Sequence, residues 1–283
     1  RPRSGGTSRI SIAAISGITG MYLDEEVELT TEAGPQWIGA PTVWNALGGQ
    51  ESAGEGVIVG ILDSGIWPEN PSFSDPDPNG NSYPAPPGTY GCELGSVMAD
   101  GTDLGLDPGC NNKLIGAYRF METFEANRDL LDGEFLSARD NDGHGSHTAS
   151  TAAGNSNVSA DVLGGTLGVI SGVAPRAHII AYKVCGSVPG TASCFTSDTA
   201  AAVDQAIADG VDVLNFSVGG GGDPYNDAGS LAFLAAYDNG IFVAKSAGNS
   251  GPGADTVAGR SPWVTTVGAS THDRGYVASI TVE

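Results

Sequence analysis

An unbroken apolar run, Val57–Leu62, leads straight into an aspartate, Asp63. A run without polar alternation has no solvent face, so it reads as a strand buried on both sides. Further strands are expected at Ala177–Val184, Val211–Phe216, Ile241–Ala244 and Trp263–Val267. Between them, Ser146–Ala153, Ser197–Gly210 and Ala228–Asp238 carry helical patterns. Ser197 is the expected N-cap of the second helix, with Ala200, Val203, Ala206 and Ile207 on one face and Gly210 as its stop. Leu231 and Leu234 are expected to point inward on the third. Strands alternating with helices imply right-handed crossovers and an α/β fold, a mostly parallel sheet flanked by helices. Function in such sheets gathers beyond the carboxyl ends of the strands. Asp63, Ser217 and Asn249 all fall at or just after expected strand ends.

Composition narrows the classes of partner. The chain has 283 residues, 40% hydrophobic and 16% charged, enough to bury a full core. Acidic residues outnumber basic ones 33 to 12, for a formal charge of -21. Such a surface repels phosphate backbones, so nucleic acid is not an expected partner. No apolar run approaches the ~20 residues of a membrane span, so no membrane partner is expected either. Asp75, Asp77, Asp100, Asp103 and Asp107 cluster in one stretch and are candidates for a structural calcium ion, although they lack the regular spacing of a calcium loop. No other metal site is expected.

The four cysteines form two sequence-local pairs, Cys92 with Cys110 and Cys185 with Cys194. Neither pair has zinc-ligand spacing, so two disulfides and an oxidising compartment are expected, with buried free thiols as the alternative. A bridge from Cys92 to Cys110 would contribute up to about 3 kcal/mol in the chain-entropy picture. It would pin the proline-rich loop that follows Asp63, which is expected at the surface.

Three segments carry side chains suited to chemistry: Asp63-Ser64-Gly65, Asp142-Gly143-His144-Gly145-Ser146-His147-Thr148, and Ser246-Ala247-Gly248-Asn249-Ser250-Gly251-Pro252. Each alone is ordinary turn chemistry. In this order they resemble the subtilisin-like serine peptidases, or subtilases. The resemblance is closest to the large plant-type and related bacterial members with an inserted protease-associated domain. It runs from about Pro35 to the end, with further matches at Gly56–Ser74, Ala201–Gly220 and Ser261–Arg274.

The resemblance implies a serine endopeptidase acting on protein or peptide substrates. His144 would be the general base, Asp63 would fix its tautomer, and Asn249 would donate to the oxyanion. Ser217-Val218-Gly219 would pair with an extended substrate, and Ser246-Ala247-Gly248 would line the first specificity pocket. His147 would be structural. No cofactor is required for such catalysis. Ser146, where threonine is more usual, and Lys245, unusual before Ser246, are mild departures.

The family's nucleophile lies in a Gly-Thr-Ser segment with a proline soon after, and nothing after Asn249 fits. Gly6-Thr7-Ser8 precedes Asp63 and has no nearby proline, so it is not the expected nucleophile. The chain is therefore expected to be incomplete at both ends. Residues 1–31 would be the tail of an inhibitory propeptide, cleaved near Leu29–Thr31, and residues 32–283 the front portion of a secreted catalytic domain. As it stands the chain would hydrolyse nothing. The alternative is a catalytically inactive, subtilase-like binding module. An unrelated hydrolase or nucleotide-binding fold would need a Gly-x-Ser-x-Gly elbow or a P-loop, and neither occurs.

Overall fold

The Val57–Leu62 run does lie at the centre, buried from Ile58 to Asp63, whereas the expected strand Trp263–Val267 shortens to Thr265–Val267 at the sheet edge. A computed structural model describes residues 30–162, 165–189, 191–220 and 223–270. The expected propeptide tail up to residue 29, with Gly6-Thr7-Ser8, and the stretch 271–283 lie outside the described residues. In chain order the elements are α1 (Thr30–Trp37), α2 (Ala40–Ala46), β1 (Ile58–Asp63), β2 (Leu114–Arg119), α3 (Glu122–Asn127), α4 (His144–Ala153), β3 (Val158–Val162), β4 (Gly165–Ile170), β5 (His178–Lys183), β6 (Cys185–Val188), β7 (Thr191–Cys194), α5 (Thr196–Asp209), β8 (Val213–Phe216), α6 (Ala228–Asp238), β9 (Phe242–Ser246) and β10 (Thr265–Val267).

Six strands make one sheet in the order β10-β9-β8-β1-β5-β2. Every neighbouring pair in it is parallel. Two small antiparallel hairpins, β3-β4 and β6-β7, stand apart from it. Among the described residues no helix is long and apolar enough to cross a membrane.

The two sheet faces have separate cores. Ile58 and Leu62 pack with Tyr182, Leu214, Val203, Ala206 and Phe233, on the side of α5 and α6. Val59 and Ile61 pack with Ile179, Ala181, Ala149 and Ala153, on the side of α4. Side chains alternate along a strand, so Asp63 shares its side with Val59 and Ile61 and emerges toward α4. Gly60 belongs to the other face, where an added Cβ would lie 2.7 Å from Leu214 Cδ2. Burying each of these large aliphatic side chains contributes roughly 1.5–3 kcal/mol.

Several local expectations need correction. Helix α4 starts at His144, ahead of the expected Ser146, because Asp140 binds the backbone before and inside its first turn. Ser197 does not cap α5: Phe195 is the N-cap residue, and the Ser197 hydroxyl donates to Thr123 Oγ1 (2.8 Å). Neighbouring Asp198 accepts from Thr123 N and Phe124 N at 2.8 and 2.9 Å, so this turn serves to hold α3. Gly210 does end α5 in the left-handed conformation, with φ 69. Leu231 is exposed rather than inward, since α6 instead buries Ser230, Phe233 and Ala236. Phe233 sets that face by packing on Phe216 with ring centroids 5.2 Å apart. The proline-rich loop is not purely a surface feature, because Ile66, Phe73 and Leu94 are buried in the α4-side core. Both expected disulfides are formed, Cys92–Cys110 and Cys185–Cys194. The second crosslinks a directly opposed pair of the β6-β7 hairpin.

Candidate active site

Asp63 ends β1 and is buried. Its Oδ1 lies 2.7 Å from His144 Nδ1 and accepts from Ser64 N, also at 2.7 Å. Its Oδ2 accepts from Thr148 Oγ1 (3.1 Å). With Nδ1 directed at a carboxylate, a neutral His144 keeps its proton there, leaving Nε2 with a lone pair. The imidazole is half exposed, at 51% of its side-chain surface. The hydrogen bond that Nδ1 donates to Asp63 raises its pKa above the ordinary histidine value. Burial opposes that rise, and the charges of Asp63, Asp142 and Asp140 support it. This is a base that protonates readily and whose second nitrogen faces outward.

Two glycines and one aspartate bring the pair together. Gly143, at φ 97, precedes α4 in the left-handed conformation, which favours glycine. Gly145 lies so close to the Asp63 turn that an added Cβ would strike the carbonyl oxygen of Gly65. Asp140 Oδ1 accepts from Ser64 Oγ, Asp142 N and Gly143 N at 2.9, 3.1 and 2.9 Å. Its Oδ2 accepts from Ser146 N and Oγ at 2.8 and 2.6 Å. Burial alone would raise the Asp140 pKa, but these hydrogen bonds outweigh it and hold the carboxyl below its usual range. Ser64 completes the brace by accepting from Gly145 N (2.8 Å). The helix start and the strand end are thus joined at backbone level.

The remaining candidate residues lie on the neighbouring strands. β8 pairs with β1, and β9 pairs with β8, all parallel. Their carboxyl ends therefore share one edge, with β9 about 10 Å from β1 at the usual interstrand spacing. Ser217 follows β8, and Ser246 closes β9 three residues before Asn249. Ser217, Ser246, Ala247, Gly248 and Asn249 line one cavity of about 320 Å³, together with Asn215 and Gly268. Val218 and Gly219 line a second cavity on the other side of the same segment. Gly219 and Gly248 face each other: an added Cβ on Gly219 would meet Gly248 Cα at 3.6 Å. Asn249 is exposed.

A buried acid holding a histidine, with an amide side chain two strands away on the same sheet edge, matches a known family. The model of the Subtilase family matches residues 54–282. The chain belongs to the subtilase family. It is 43% identical over 279 residues to subtilisin-like protease SBT2.1 of Arabidopsis thaliana, covering 95% of this chain and 32% of that protein. Subtilisin-like protease SBT2.3 of the same plant is 42% identical over 274 residues, covering 94% and 31%. Subtilisin-like protease SBT1.3, also from that plant, is 40% identical over 275 residues, covering 94% and 33%. The chain thus spans about a third of the length of the curated relatives it matches.

Around this subtilase site, sequence reasoning missed Asp140, Thr148 and the bracing role of Ser64. Asp140 gave a usable signal, an acid shortly before a helix start, which reads as a cap. His147 is exposed, and among the described residues no hydrogen bond joins its ring to Asp63 or to another side chain. Ser146, the departure from threonine, uses its hydroxyl twice: it accepts from Trp67 N (2.9 Å) and donates to Asp140.

Four of the five candidate calcium acids, Asp75, Asp77, Asp100 and Asp103, already accept hydrogen bonds. Asp75 accepts from Tyr83 N and Asn112 Nδ2, and Asp77 accepts from Asn79 N and Asn81 N. Asp77 also meets Arg176 at 3.4 Å. Asp100 accepts from Thr102 N, and Asp103 from Ser96 Oγ and Gly105 N. Among the described residues no group of three or more His, Cys, Asp or Glu is placed to hold a metal ion.

Proposed function

We propose that this chain is the front portion of the catalytic domain of a secreted subtilisin-type serine endopeptidase. The observation that carries the reading is the 2.7 Å contact between His144 Nδ1 and the buried carboxylate of Asp63. A serine hydroxyl is a poor nucleophile until a base removes its proton. His144 Nε2 takes that proton and later returns it to the leaving amine, while Asp63 stabilises the imidazolium formed in between. Asn249 donates its side-chain N–H to the oxyanion that develops on the scissile carbonyl. Ser217-Val218-Gly219 holds the substrate as an added strand, and Ser246-Ala247-Gly248 forms a wall of the first specificity pocket. The serine itself comes from a segment outside residues 1–283.

Residues 1–31 would be the tail of the inhibitory propeptide, the domain's own partner before activation. The mechanism needs no cofactor. A calcium ion, if one binds, is structural. Disulfide-bonded cysteines fit an oxidising, extracellular setting.

The test is a peptidase assay on the full-length gene product. His144→Ala is expected to lower kcat by about 10⁶-fold, a size known for this base in the family, and Asp63→Asn by about 10⁴-fold. Asn249→Ala is expected to lower it by about 10²–10³-fold, a size known for this donor in the family rather than taken from this geometry. Residues 1–283 alone are expected to show no turnover. Turnover by them that His144→Ala abolishes would overturn the placement of the nucleophile.

A further inference from the structure

β9 separates two cavities, and Lys245 stands out in the second. Along β9, Lys245 has the same parity as Val243, so its side chain lies on the α5 and α6 side with Phe216 and Phe233. It is 7% exposed. Its Nζ sits 4.4 Å from the ring centre of Phe216 and 6.0 Å from that of Phe233. The other lysines of the chain are also buried, and both are satisfied. Lys113 Nζ donates to the carbonyls of Pro175 and Ala177 at 2.7 and 2.6 Å. Lys183 pairs with Glu134 at 2.6 Å and donates to Arg139 O. Among the described residues Lys245 Nζ has neither an ion pair nor a hydrogen-bond acceptor. Burial pulls its pKa below the ordinary lysine value, and the charge of Asp227 partly opposes this. An ammonium group with only aromatic rings beside it is a costly thing to bury unless something else completes it.

The surroundings show what that would be. Lys245, Phe216 and Phe233 line a cavity of about 210 Å³. The first turns of two helices also line it, through Thr196 and Thr199 of α5 and Gly229 and Ser230 of α6. Both helices therefore turn their positive ends toward this space. Asp227 is the one carboxylate among the described lining residues, and it already accepts from Ser230 N (2.8 Å) as the cap of α6. The volume is below the ~300–1,000 Å³ of ordinary small-molecule sites and suits a single side chain. Val218 and Gly219 form its rim. A peptide strand laid beside Ser217–Gly219 would send alternate side chains to opposite sides, one of them toward this cavity.

We propose that this cavity is a subsite for an acidic side chain of a bound peptide, whose carboxylate pairs with Lys245. The inference rests on reading Ser217–Gly219 as the peptide platform. It adds a specificity-determining residue, Lys245, which also borders the cavity beside Asn249 but whose Nζ lies against Phe216 and Phe233.

The test uses three extended peptides that differ only in carrying Glu, Gln or Lys at the position facing Val218. Each is titrated calorimetrically into the 283-residue chain, with glutarate as a free-carboxylate control. The Glu peptide is expected to bind at least about tenfold tighter than the Gln peptide. That preference should vanish in Lys245→Met and persist in Lys245→Arg, with near-UV circular dichroism showing that both variants keep the native fold. Equal binding of Glu and Gln peptides, or tightest binding of the Lys peptide, overturns the subsite and leaves the platform standing. Failure of all three peptides overturns the platform and the subsite with it, even if glutarate binds in a Lys245-dependent way. A Glu preference that survives Lys245→Met assigns recognition to another residue and overturns the role of Lys245.

Discussion

The two ends of the candidate site are built differently. At the β1–α4 corner, Asp63, Ser64, Asp140, Gly145 and Ser146 are tied into one hydrogen-bonded unit. Beneath it the buried pair Lys183–Glu134 adds a second layer: Lys183 is in register with Asp63 and donates to the carbonyl of Arg139, next to Asp140. At the β8–β9 end, Asn249 is exposed, glycines line the walls, and among the described residues the Ser217 hydroxyl bonds only to Asn215. The corner is preorganised, which suits a base whose geometry must not change during proton transfer. The open end has few internal ties, which suits a surface completed by what binds there.

The largest expected effect comes from breaking the corner from below. Glu134→Ala leaves the Lys183 ammonium buried without its carboxylate and should cost about 3–5 kcal/mol in denaturant unfolding. A loss under about 1 kcal/mol would mean that water reaches the pair. Gly145→Ala should follow at about 1–3 kcal/mol, because its Cβ meets backbone atoms that cannot turn aside. Asp140→Asn is expected to cost about 1–3 kcal/mol, since an amide cannot accept all the donors that now point at the carboxylate. Ser217→Ala and Asn249→Ala, at the open end, should each change stability by no more than about 0.5 kcal/mol. A cost as large as that of Asp140→Asn would erase the contrast between the two ends.

Much of this was legible in the sequence. β1 is an unbroken apolar run because both faces of the sheet are covered there, and β5, β8 and β9 are apolar enough to be read beside it despite His178, Lys183, Asn215 and Lys245. β2 is not: Gly116 interrupts its pattern, and Tyr118 and Arg119 at its end face only partial burial at the sheet edge. The hairpins β3-β4 and β6-β7 are short and rich in Gly, Ser and Thr, so even the alternation of β3, with Val158 and Ala160 buried and Ser159 and Asp161 exposed, is too brief to stand out. In the site, Asp63, His144 and Asn249 could be picked out because their order is distinctive. Asp140 offered only the signal of an acid ahead of a helix start, and Ser64 offered none, because a Ser beside glycine usually serves only its own turn. Their importance comes from a contact across 76 residues that no local pattern encodes.

The bond between Asp63 and His144 also fixes a pH dependence. The folded state raises the His144 pKa, so this group's stabilising contribution is fully present below the unfolded value of about 6.5. It is lost as pH rises through the folded value. Solvent exposure of the imidazole keeps the effect small. Base catalysis runs the other way, requiring a pH high enough to deprotonate the ring. The most direct measurement is an NMR titration of the His144 imidazole from about pH 5 to pH 9, in the wild type and in Asp63→Asn. The wild-type ring is expected to titrate above the ordinary histidine value and to fall in the variant. Identical titrations in the two proteins would show that Asp63 does not hold His144, and would contradict the acid–base pair on which the proposed function stands.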